Sequence, residues 1–296
     1  MRSLRALVAY LLAVFVGGAL LAPWLYRLGQ LAGASFPHVA HSPFHRFMDR
    51  SFLIVALAGL WPLLRVLGVT SLRGCGLVSP RGQWTKLGSG LLLGGAIIGL
   101  DAALTLIGNG RSINPNLAAH KIVGALFGAA GTAIAVAVIE ETLFRGGVFG
   151  GLRKTFSWPP ALVASSLVYA FVHFLRPAEL AGPVAWNSGL LLLPQMLDLR
   201  ALVPDFFNLL LAGALLALAY QRTGNLYFSI GLHAGWIFCL KLYGALTAGA
   251  AHAVSAFWGS GKMIDGWLAF LLLSIALAAF QQLAFKPARE PLAIAQ

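Results

Sequence analysis

Charge is what this sequence has least of: 10% of its 296 residues are Asp, Glu, Lys or Arg, and only nine are acidic. A soluble domain carries about 25% charged residues, so a water-soluble enzyme is excluded as a class. Cysteine is scarce too. Cys75 and Cys239 lie far apart with no CxxC pair, which excludes a disulfide framework or a thiolate metal cluster and leaves two ordinary thiols. No HExxH occurs, no segment repeats, and no polar block marks off a soluble domain. The net charge of +12 does not point to nucleic acid. Most of the Lys and Arg residues sit in short connections between apolar runs, where they set topology and touch anionic lipid.

What the sequence has in abundance is hydrophobicity, 59% of its residues with a mean hydropathy of +0.82. Apolar runs at 4–26, 51–69, 87–107, 122–151, 160–175, 203–220, 226–246 and 264–285 predict about eight transmembrane helices. The expected fold is therefore all-α: a polytopic membrane helix bundle, one domain over 1–296, with its site inside the bundle. The first run follows a basic MRSLR, as a signal peptide would, but at about 20 residues it is too long for a signal core and reads as a retained span. Trp24, Trp84, Trp158 and Trp267 fall at span ends and read as interface anchors. The long connection 176–202, with Trp186, Asn187 and the apolar GLLLLPQML, is expected to form an interfacial or re-entrant helix over the mouth of the bundle.

Basic residues in the connections give the orientation. With the N-terminus inside, the inner side holds Arg65, Arg153, Lys154, Lys286 and Arg289 among others, and the outer side holds Arg111, Arg176, Arg200 and Lys262 among others. The inner side has a slight excess, which places both termini in the cytoplasm. A chain rich in Ala, Leu and Gly fits a bacterial inner, or plasma, membrane. Asp101 and Lys241, single charges in or near spans, are expected to snorkel.

One stretch breaks the apolar pattern in mid-span: IEETLFRGG, residues 139–147. Ionised groups are costly in lipid and are retained where they face a protein interior, find a partner and do a job. On a helix Glu141 and Arg145 stand at i and i+4 and pair on one face, while Glu140 points about 100° away and stays available. Glu140 lies about 13 residues before the Arg153–Lys154 turn and His173 about 14 after Pro159, so both are roughly 20 Å from that turn. His233 enters from the same side, about nine residues after the Gly224–Asn225 turn, or roughly 14 Å. A carboxylate with two histidines at similar depth suits hydrolysis: the glutamate as general base on water, the histidines as donors to the oxyanion.

EETLFRG resembles the Glu-Glu-x-x-x-Arg motif of the CPBP family of intramembrane proteases, which includes type II CAAX prenyl endopeptidases and the Abi, or bacteriocin-immunity, proteins. YAFVH is similar to the family's Phe-x-x-x-His, with Tyr169 for Phe and His173 kept. TGNLYFSIGLHAGWI is similar to its Thr-Gly-Asn-Leu turn and His-x-x-x-Asn, with His233 kept and Ile237 where the Asn would stand. The resemblance covers the core motif region 122–246. It implies an endopeptidase with Glu140 as the water-activating base, Glu141 and Arg145 as its support, and His173 and His233 positioning water and oxyanion. The departure at Ile237 removes one polar donor, for which Asn208, Tyr169 and Trp236 are the candidates.

Taken singly, these residues have plainer readings: Glu141–Arg145 as a packing ion pair, either histidine as a helix–helix hydrogen bond, Tyr169 as packing. Glutamate plus two histidines is also the composition of catalytic zinc sites, though here the ligands would come from three separate helices. A mechanism without cofactor is favoured, with zinc as the alternative. A catalytically silent membrane-binding or immunity protein is the alternative from another class, and a small transporter with Glu140 as proton relay comes last, since no inverted repeat is visible. The expected partners are the bilayer and a membrane-associated peptide or protein substrate.

Overall fold

The computed structural model describes residues 2–115, 117–175, 178–197, 202–249, 256–259 and 265–282. Arg176, Arg200, Lys262, Lys286 and Arg289, used above for orientation, lie outside the described residues. Among the described residues each apolar run forms a helix. They are α1 (Ser3–Leu31), α2 (Phe44–Val66), α3 (Trp84–Ile107), α4 (Ala119–Arg153) and α5 (Trp158–Phe174), then the short α6 (Ser188–Leu192), α7 (Leu202–Thr223), α8 (Tyr227–Leu246) and α9 (Trp267–Gln282). Six of these are long and apolar enough to cross a membrane, while α5 and α9 are shorter apolar helices. The molecule is a helical membrane bundle. A two-stranded antiparallel ribbon, Arg111–Ile113 against Thr247–Gly249, is its only sheet among the described residues.

The polarity of the bundle is inverted relative to a soluble protein. Phe127 and Ile134 on α4 and Leu92 on α3 are exposed, whereas Glu141, Arg145, Asp101 and Asn208 are buried. Lipid solvates the apolar outside, and charge is tolerated only inside. Trp84, Trp158 and Trp267 open α3, α5 and α9, and all three are exposed, as interface anchors are. Asp101 departs from expectation: it is 4% exposed and does not snorkel. Lys241 is exposed.

The chain divides into two compact units. The first comprises Met1–Thr70 and Val172–Arg200. Here Ala19, Ala22, Phe44, Met48, Leu192 and Met196 form a core between α1, α2 and α6, and Gly189 brings α6 onto the backbone of Ala19. The 176–202 connection thus contains a short helix, continued by a 3₁₀ turn, Leu193–Met196. α2 starts well before residue 51 because its first turns are amphipathic: Phe44, Phe47 and Met48 are buried while Arg46, Asp49 and Arg50 are exposed. A hydropathy average does not register such a face.

The second unit comprises Ser71–Phe171 and Ala201–Gln296, and α8 is its centre. Gly90 and Gly94 of α3 face Gly231 and Gly235 of α8, and a Cβ added at any of the four would collide with the opposing backbone. This is small-xxx-small packing from both sides, in which the absence of side chains lets two backbones touch. The turn before α8 is equally determined. Gly224 ends α7 with φ of 73°, a left-handed cap that favours glycine. Asn225 Nδ2 then donates to Gln83 Oε1 at 3.0 Å, and Leu226 N to Gly76 O at 3.1 Å. His233 lies between Gly231 and Gly235, so the seam that seats α8 also sets the height of that histidine.

Gly231→Ala is expected to force α3 and α8 apart, at an overpacking cost of about 1–3 kcal/mol. Gly124→Ala, where an added Cβ meets nothing within 4 Å, should be close to neutral. Detergent melting of the two variants side by side checks this, and equal midpoints would refute the seam.

Candidate active site

The glutamates sit where α4 changes its winding. Regular α-helix runs to Glu141, and Thr142–Phe149 is a π-helix. Such widened turns are rare and recur at functional sites. The sequence hints at this one only through Gly146–Gly147. Gly146 packs against the backbone and Cβ of Cys75, whose thiol is buried and whose pKa burial pushes up, leaving it an inert thiol.

Arg145 reaches back one turn and donates from Nη1 to Glu141 Oε1 at 2.9 Å, with both side chains buried. Its Nη2 donates to Gly213 O on α7 at 3.3 Å, and its guanidinium lies 4.5 Å from the ring centroid of Tyr169 on α5. The cation is thus held by a carboxylate, a carbonyl and an aromatic face. Tyr169 also meets Phe144 edge-on at 5.1 Å and His233 at 6.3 Å.

Glu141 has a second partner. His233 Nδ1 lies 2.9 Å from the same Oε1, and since an ionised carboxylate only accepts, Nδ1 carries the proton and donates. The other ring nitrogen, Nε2, thereby faces Glu140, 3.8 Å from its Oε2. One imidazole stands between two adjacent carboxylates in unlike surroundings. The Glu141 side chain is 0% exposed and shared by a guanidinium and an imidazole, whereas that of Glu140 is 23% exposed.

The structure brings together Glu140, Glu141, Arg145, Tyr169 and His233. His173 lies on the last turn of α5, four residues beyond Tyr169 and on the same helix face, half-buried. Asn208 Nδ2 donates to Gly266 O at 2.9 Å, joining the start of α7 to the start of α9. Trp236, three residues after His233, packs edge-on to it at 6.2 Å between centroids. No group of three or more His, Cys, Asp or Glu gathers in metal-binding geometry among the described residues.

The protein is thus a polytopic helical membrane protein with an ion pair and an imidazole buried inside its bundle. Residues 122–239 match the family described as type II CAAX prenyl endopeptidase Rce1-like, which supports the recognition of the CPBP family drawn from the three motifs. That stretch runs from α4 through most of α8 and contains every residue of the cluster. Comparison with curated proteins and with solved structures finds no match.

Removing either partner of the buried pair leaves an uncompensated charge, typically a loss of about 3–5 kcal/mol. Glu141→Ala and Arg145→Ala are both expected to lower the detergent melting midpoint sharply, and Glu140→Gln to change it little. A midpoint unmoved by Arg145→Ala would show that the pair carries no stability.

Proposed function

We propose that this protein is a glutamate-dependent intramembrane endopeptidase acting on a membrane-associated peptide or protein of CAAX type or a related peptide precursor. The family matched by residues 122–239 is a protease family, and the helices fit a substrate delivered through the bilayer. The observation that carries the reading is the unlike state of the two glutamates. Glu141 is neutralised and sealed by Arg145 and His233, and Glu140, next in the chain, keeps access to the site.

In this mechanism Glu140 takes a proton from water as the water oxygen adds to the scissile carbonyl carbon. The carbonyl oxygen becomes an oxyanion that receives hydrogen bonds from histidine: His233 donates through Nε2 in the form that carries a proton on both ring nitrogens, its Nδ1–H staying on Glu141, and His173 on α5 is the second histidine assigned to the oxyanion. Glu140 then returns the proton to the leaving nitrogen as the C–N bond breaks. Glu141 holds His233 by Nδ1, so its Nε2 is directed toward the Glu140 side. Arg145 holds Glu141 in place through Nη1, and the ring of Tyr169 supports Arg145. No metal takes part in these steps.

The test is cleavage of a farnesylated CAAX-type peptide by the full-length protein in detergent or vesicles. Glu140→Gln should reduce turnover by about 10²–10⁴-fold, the usual contribution of a general base, with the protein still folded. Wild type and Glu140→Gln cleaving equally would overturn the assignment. Absence of cleavage in both, with the peptide still bound, would favour a silent binding protein. Activity is expected to survive prolonged chelation, and loss that zinc restores would establish the metal-dependent alternative.

A further inference from the structure

Proteins rarely bury a hydrogen-bond donor without an acceptor, because an orphaned group forfeits its bond to water; where one persists, function is a standard explanation. Trp236 is such a case. It is 4% exposed, and its indole Nε1–H has no acceptor among the described residues. The orphan is not in a remote corner. Trp236 follows His233 by three residues on α8, so the two share a helix face, and their rings meet edge-on at 6.2 Å. The glycine seam packs the backbone of this turn directly on α3, so both side chains are presented from one helix seated on its neighbour.

Two other candidate donors have structural contacts: one N–H of Asn208 goes to Gly266 O, and the ring face of Tyr169 lies 4.5 Å from the guanidinium of Arg145. Trp236 keeps a donor without an acceptor among the described residues, beside the imidazole whose Nε2 faces Glu140. A donor kept dry binds developing negative charge more strongly than one in water, and it needs no reorganisation when that charge appears.

We propose that the indole N–H of Trp236 is a second oxyanion donor, acting with His233 on the carbonyl oxygen of the scissile bond. The proposal rests on the hydrolytic reading of the site and deepens it. It assigns the accepting half of the reaction to α8, with His233 and Trp236 on one face, and the basic half to Glu140 on α4.

The test exchanges the N–H and keeps the ring. Trp236 is replaced by benzothienylalanine, in which sulfur stands for the N–H at nearly constant shape, and by phenylalanine. The expected result with the farnesylated CAAX-type peptide is a 10- to 1,000-fold fall in kcat for benzothienylalanine with KM little changed. The melting midpoint should stay level or rise, because an orphaned donor has been removed. Preserved kcat in the benzothienylalanine variant, whatever its midpoint, marks a purely structural tryptophan and overturns the proposal. In the Trp236→Phe background, Ile237→Asn, one turn beyond His233, should restore part of kcat by supplying an amide donor. A binding measurement separates this proposal from the base assignment. A phosphonate analogue of the same peptide, which mimics the tetrahedral oxyanion, should bind wild type and Glu140→Gln well and the benzothienylalanine variant at least 10-fold more weakly. Equal affinity in wild type and the Trp236 variants, or no phosphonate binding by wild type, overturns the second donor whatever Glu140 does.

Discussion

A single carboxylate oxygen organises this protein. Oε1 of Glu141 accepts from Arg145 and from His233, and the Arg145 guanidinium would not be tolerated in the interior of a membrane bundle without it. Arg145 in turn touches α5 through Tyr169 and α7 through Gly213, and His233 brings α8. Four helices meet on one charge, so the cost of burying it is met by contacts that also assemble the site. Desolvation makes the arrangement all-or-none: a guanidinium with no carboxylate, or the reverse, is worse than having neither.

The same interaction makes two identical neighbours different. Glu140 and Glu141 have the same side chain, yet one is sealed and doubly hydrogen-bonded and the other retains access. In the proposed mechanism the general base must be reachable, while the residue that orients the imidazole must be held in place. The two stand side by side at the end of a regular helix, just before it widens into a π-helix.

Around this centre the bundle depends on close backbone approach more than on large side chains. In lipid there is little hydrophobic gain in bringing two helices together, so packing and the removal of bulk decide which helices associate. The reciprocal glycines of α3 and α8 are the clearest instance. α3 lies outside the stretch that matches the Rce1-like family, yet it sets the position of the histidine within that stretch. The first unit lies largely outside it too, with its own core of Ala19, Ala22, Phe44, Met48, Leu192 and Met196.

Much of this could be read from the sequence. A membrane helix must satisfy its backbone within itself, so its existence and extent are local properties, and the apolar runs correspond to the helices found. The Glu141–Arg145 pair was legible for the same reason, since i and i+4 meet on any helix. Interface tryptophans, too, mark themselves by position. Tertiary structure alone decided the rest. The bond from Glu141 to His233 joins residues 92 apart, and no local rule chooses that partner. Asp101 reads as a snorkelling charge until the neighbours of α3 bury it, and the bond from Asn208 to Gly266 joins residues 58 apart. The glycines of α3 and α8 are each visible in the sequence, but their opposition requires two helices to be laid together. What the chain specifies within one helix follows from short-range hydrogen bonding and hydropathy. Which of its few polar groups meet depends on helix–helix packing over long separations.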